Sequence, residues 1–188
     1  MPWPATKRST TRQMILDSAS RLFALEGFEK VSIDSIMKSA GLTRGAFYSH
    51  FASKTELYTE AIRSAASAGG AILEEAGKDG LRQVVKDYLR MDHRDASRMH
   101  CPLAFMVNDA AQQDGAIQES YTQVLTAFIK RLESGLKSIT ESDTRERALQ
   151  IAVGMIGGLA LARAVADDQL AQEILTACQQ GCLQLVKL

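Results

Sequence analysis

Along the first quarter of the chain, apolar residues recur at helical rather than strand spacing. Ile15, Ala19, Leu22 and Phe23 follow an i, i+4, i+7, i+8 rhythm that Gly27 interrupts, which predicts a first helix over about residues 11–26. Three segments follow, each with its own start signal. Ser32 caps a predicted helix over 33–40 that Gly41 ends, and Thr43 caps another over 44–50. Ser53 and Glu56 form an S-x-x-E capping box that opens a longer helix through Leu57 and Ile62. Gly69-Gly70 and the stretch from Gly77 to Gly80 then loosen the pattern, predicting a border between a head, residues 1–65, and a body, residues 66–188. In the body, helical stripes cover 81–91, 117–136, 143–165 and 170–186, with a short apolar segment over 101–111 that starts at Pro102. No stretch alternates Val, Ile and Thr as a strand would, and proline occurs only at 2, 4 and 102, so the expected fold class is all-α.

The chain has 188 residues, 46% of them hydrophobic, enough for a real core, and its formal net charge is zero. The charge is unevenly spread. Residues 1–63 carry nine Lys and Arg against six Asp and Glu, a net +3, so the remainder carries −3. A basic front on an acidic back suits a nucleic-acid-binding head on a body with another task. Cys101, Cys178 and Cys182 make an odd count, and the start Met1-Pro2-Trp3-Pro4 lacks the charge and apolar run of an export signal. Both features predict a cytoplasmic protein with reduced thiols. The longest apolar stretch, 148–166, is broken by Gln150, Gly154, Gly157, Gly158 and Arg163, and reads as a buried packing helix rather than a membrane span. The sequence has no G-x-S-x-G, phosphate-binding glycine loop, H-E-x-x-H or close carboxylate pair at metal spacing, so no enzymatic activity, cofactor or metal is expected.

Residues 32–51 read as a helix-turn-helix. Two short helices that cross steeply need a small residue at their contact, here Ala40, and a turn residue that accepts positive φ, here Gly41. Leu42 plugs the space between them, while Ile33, Ile36, Phe47 and Phe51 share a core with Phe23 and Phe28. This leaves Thr43, Arg44, Gly45, Tyr48, Ser49 and His50 on the outer side of the second helix, a shape suited to end-on entry into a major groove.

At these residues the chain resembles the TetR/AcrR family of transcription regulators. The matching features are Gly27-Phe28 after the first helix, the run Ala40-Gly41-Leu42-Thr43, and the tail Gly45-Ala46-Phe47-Tyr48-Ser49-His50-Phe51-Ala52-Ser53-Lys54-Thr55-Glu56-Leu57. The resemblance covers about residues 11–60 and implies a repressor that binds double-stranded operator DNA. It implies that Tyr48 contacts phosphate or a thymine methyl, that His50 and Lys54 hold phosphates, and that Thr43 and Arg44 reach phosphate and base edges, Arg44 being the candidate for guanine. Gly45 would let the backbone come close to the DNA. Lys7, Arg8 and Arg12 form a basic N-terminal arm, read equally as DNA-binding or simply solvated.

The last two helices read as a homodimer interface. Ala152, Gly154, Met155, Gly157, Gly158, Leu159, Ala160 and Ala162 supply a small or apolar surface, and Leu170, Ile174, Leu175, Cys178, Cys182, Leu185 and Val186 supply a stripe; an intrachain core is the alternative. An effector pocket is expected among Tyr88, Met91, Phe105, Met106, Tyr121, Leu125 and Phe128, with Asn108 and Gln123 as polar anchors. The resemblance implies a small apolar or amphipathic effector. His93, Arg94, Arg98, His100 and Cys101 form a polar cluster before Pro102. There a helix N-terminus and nearby cations would lower the Cys101 thiol pKa, so a thiol-based redox or electrophile sensor is one alternative function. A helical ligand-binding module without DNA binding is the other. Zinc at His93, His100 and Cys101 lacks a fourth ligand.

Overall fold

The computed structural model describes residues 5–94, 101–113, 115–137 and 143–186. Among them the secondary structure is entirely helical. The helices are α1 (Ala5–Glu26), α2 (Ile33–Ser39), α3 (Arg44–Phe47), α4 (Lys54–Tyr88), α5 (Met91–Arg94), α6 (Pro102–Phe105), α7 (Val107–Gln112), α8 (Gly115–Lys137), α9 (Thr144–Ala164) and α10 (Asp168–Val186).

The head forms where local signals predict it. Gly27 takes φ +82° and ends α1. Ser32 and Ser35 cap each other's backbone N–H at the start of α2. At its end Gly41, at φ +70°, carries a Schellman turn: Leu42 N donates to Met37 O at 2.9 Å and Gly41 N to Lys38 O at 3.1 Å. Ser53 Oγ accepts from Glu56 N, while the Glu56 carboxylate reaches back to Ala52 N rather than to Ser53. α1 starts at Ala5, earlier than its apolar rhythm predicts, so Arg8 and Arg12 lie on a helix and not on a loose arm. α3 keeps helical form only to Phe47, after which bonds from His50 N and Phe51 N to Phe47 O continue the turn.

Two expectations for the body change. The glycine stretch at 69–80 does not break the chain, because α4 runs through it for 35 residues, about 50 Å. Each glycine costs a helix about 1 kcal/mol against alanine. α4 offsets this by packing on α1, α8 and α10. The short apolar segment after Pro102 forms two short helices, split at Met106. Apart from Gly157 and Ala160, the small residues of α9 expected at the dimer interface lie against the rest of the chain. Ala152, Met155, Leu159 and Ala162 are buried. A Cβ on Gly154 would lie 2.7 Å from Cys182 Sγ, and one on Gly158 would lie 2.8 Å from Cys178 Sγ. These glycines therefore bring α9 against α10 of the same chain. Among the described residues, α9 is the one helix long and apolar enough to cross a membrane, yet Ala148, Ile151, Ala152, Met155 and Leu159 are packed inside the protein.

Candidate nucleic-acid interface

The second helix of the helix-turn-helix is anchored from beneath. Phe47 and Phe51 are buried, Phe47 completely, in the core formed with Ile36, Phe23 and Phe28; Ile33 and Leu42 pack against it half-buried. Ala40, at the C-cap of α2, is buried. With these residues turned in, Thr43, Arg44, Gly45, Tyr48 and Ser49 are exposed, Tyr48 to 60% with its ring edge on Phe47. A Cβ on Gly45 would meet nothing within 4 Å, so the fold itself has no need of glycine there. α1 supports this surface from the side. Arg8 donates to Ser49 O at 3.1 Å, and Arg12 pairs with Glu60 while lying over the Phe51 ring. The side chain of Lys7 lies outside the described residues.

His50 and Lys54 are placed differently from the exposed set. His50 is half-buried, and its Nδ1 has no hydrogen-bond partner among the described residues. Burial first, then the charges of Arg8 and Arg12, push its pKa below the ordinary 6.5. At neutral pH it is therefore a neutral imidazole and would meet phosphate as an N–H donor. The Lys54 ammonium donates to Val31 O at 2.9 Å and sits 4.2 Å from the centre of the Phe28 ring. In the free protein it braces the loop before α2, so its removal would disturb the fold as well as any phosphate contact.

The surface is tied to the body by residues that sequence reasoning misses. Asp109, on α7, accepts through Oδ2 from Phe28 N at 2.8 Å and from Tyr58 OH at 2.9 Å. Tyr58 is fully buried between Phe23 and Phe28, and burial together with the Asp109 carboxylate drives its pKa far above its ordinary value. Arg163 on α9 lies 3.5 Å from the centre of the Phe105 ring and donates to Ala24 O in the last turn of α1. The partners are up to 139 residues apart in sequence, and no local pattern announces them.

The expected effector residues lie around α4, α6 and α8. Phe105 and Met106 are buried, while Tyr88, Met91, Tyr121, Leu125 and Phe128 are half-buried against the same core. Tyr121 OH donates to Leu103 O at 2.6 Å, and Tyr88 OH to Cys101 Sγ at 3.0 Å. Asn108 and Gln123 are exposed, and Gln123 accepts a hydrogen bond from Arg63. A groove of about 190 Å³ is lined by Arg82, Gln180, Leu183 and Gln184, away from the expected set. The Cys101 expectation reverses. Cys101 occupies the N-cap position of α6, but burial raises its thiol pKa more than bonds from Tyr88 and from the backbone of Ala104 and Leu103 lower it. Arg94 donates instead to Ala162 O and Val165 O and pairs with Asp168, and His93 is buried against Tyr88. Arg98 and His100 lie outside the described residues.

A family model described as bacterial regulatory proteins, tetR family, matches residues 15–61. The HTH-type transcriptional regulator AcrR of Shigella flexneri is 30% identical over 163 residues, covering 79% of this chain and 76% of that one. The transcriptional repressor AcnR of Corynebacterium diphtheriae is 33% identical over 89 residues, 47% of this chain and 45% of its own. Among solved structures, a TetR-family regulator of Streptomyces coelicolor matches with a TM-score of 0.75 at 22% identity, covering 96% of this chain and 97% of that one. The reduced form of Escherichia coli NemR matches equally well, with a TM-score of 0.75 at 16% identity over 93% of this chain and 96% of its own.

Proposed function

The chain belongs to the TetR/AcrR family and is a DNA-binding transcription regulator, and from that premise we propose that it is a dimeric repressor released from a palindromic operator by a small hydrophobic effector. The observation that carries the reading is the exposed set Thr43, Arg44, Gly45, Tyr48 and Ser49, held on a rigid base of Phe47 and Phe51. A rigidly held polar helix end is the form in which such a motif enters a major groove, and two heads one helical turn apart require a dimer.

The dimer reading draws support from where apolar surface is left uncovered. Leu149, Val153 and Leu161 on α9 and Leu170 on α10 are exposed to between 39% and 70%, four of the seven large hydrophobic residues so exposed among those described. Leu149, Val153, Gly157 and Leu161 follow one i, i+4 ridge, and a Cβ on Gly157 would meet nothing within 4 Å. This ridge replaces the inward-facing small residues as the proposed interface, while the helices involved stay the same.

Release follows from the ties between body and head. A ligand wedged among Tyr88, Phe105, Tyr121 and Phe128 would displace α6. α6 carries Phe105, on which Arg163 stacks, and leads directly into α7 with Asp109. Both polar ties to the end of α1 would then move together. The ligand need only bind the displaced state better than the DNA-competent one. A coupling of about 1–3 kcal/mol would weaken operator binding by about 5- to 150-fold. Calorimetry tests this with a hydrophobic compound chosen by thermal-shift screening. Operator DNA should lower the compound's affinity by the same factor as the compound lowers operator affinity, and Phe128→Ala should blunt both. Equal compound affinity with and without operator contradicts the proposal.

A further inference from the structure

The DNA-facing surface carries a carboxylate where phosphate is expected to approach. Asp34, in the first turn of α2, is exposed, and its Oδ2 lies 2.8 Å from Nη1 of Arg44 at the start of α3. Both side chains are about three-fifths exposed. An ion pair so open to water adds little to stability, and a negative charge beside DNA repels the backbone that supplies most of the affinity. The pair therefore calls for a reason other than folding or general attraction.

Its geometry supplies one. A guanidinium is a planar fork of five N–H donors. With Nη1 held by Asp34, the edge formed by Nη2 and Nε makes no bond among the described residues. That edge is the arrangement needed for a bidentate contact to O6 and N7 of guanine. Held on one side, Arg44 gives up some of the rotamer freedom it would otherwise lose on binding. The carboxylate also partly neutralises Arg44, which makes a bare phosphate a poorer competitor for it.

We infer that Asp34 is a specificity-determining positioning residue: it aims Arg44 at a guanine in each operator half-site and suppresses its capture by phosphate. The inference rests on the DNA-binding reading above. A role for Asp34 confined to the dipole of α2 would alter melting temperature and leave base preference unchanged, which separates the two.

The test is selection from a randomised duplex library, followed by affinity measurement on the winning duplex and on versions with each guanine replaced. Wild type should select a guanine that Arg44→Ala no longer prefers, discriminating against its replacement by about 5- to 150-fold. Asp34→Asn should melt like wild type, lose most of that discrimination at the same position, and bind random duplex more tightly. Asp34→Glu should restore part of the preference. If Asp34→Asn keeps the wild-type preference, or loses preference at a position that Arg44→Ala leaves intact, the inference is overturned. If wild type selects no sequence at all, the DNA-binding reading fails and this inference falls with it.

Discussion

His50 and Tyr48 sit two positions apart in the helix-turn-helix and differ in their surroundings. Tyr48 is open to solvent and packs its ring edge on Phe47, whereas His50 is half-buried and its Nδ1 has no partner among the described residues. The His50 pKa lies below the 6.5 of an unfolded chain because burial and the cations Arg8 and Arg12 disfavour its charged form. Between the two values the unfolded chain binds more protons than the native one. His50 thus leaves native stability intact above about pH 6.5 and removes part of it as pH falls through that window. Thermal melts from pH 8 to pH 5 should show this loss, and His50→Gln should flatten it. DNA reverses the sign for binding. A phosphate near the imidazole raises its pKa, so complex formation takes up a proton and operator affinity should rise as pH falls from 7.5 towards 6. A binding curve independent of pH would place His50 away from the phosphates.

At the scale of elements, the pair α9–α10 separates what pattern tells from what it does not. Glycine and alanine on a helix announce a close neighbour without saying whether it belongs to the same chain. Here the neighbour of Gly154 and Gly158 is α10, through Cys182 and Cys178. Gly158→Leu should therefore destabilise the protomer itself, by about 1–3 kcal/mol or more as overpacking does. Val153→Asp, on the open ridge, should leave the melting of the protomer nearly unchanged and split the dimer. Analytical ultracentrifugation beside thermal melts reads both; a dimeric Val153→Asp protein would move the interface elsewhere. The elements with local punctuation were legible in the sequence: Ser32, Gly41 and Ser53 mark their boundaries because capping and positive φ are one-turn effects. The run of glycines from 69 to 80 misleads for the opposite reason. Its local penalty is outweighed by the packing of α4 on α8, which no window of sequence contains.

The whole molecule works as one object because its head is pinned at named points. Asp109 joins α7 to the turn after α1 and to Tyr58 of α4, Arg163 joins α9 to the end of α1, and Gln113 donates to Glu29 nearby. The outward-facing set was readable because one short motif dictates which side chains turn in. Asp34, Asp109 and Arg163 were not, since each is an isolated charge whose partner is brought close only by the fold. Every step of the account depends on the exposed end of α3 binding DNA. The most direct measurement is a fluorescence anisotropy titration of the selected duplex with wild type and with Tyr48→Ala over a range of salt. Because Tyr48 is 60% exposed, the variant should melt like wild type. It should bind about tenfold or more weakly, with the salt slope unchanged, because a neutral phenol displaces no counterion from the phosphates. A Tyr48→Ala protein that binds the duplex with wild-type affinity at every salt concentration would contradict the account.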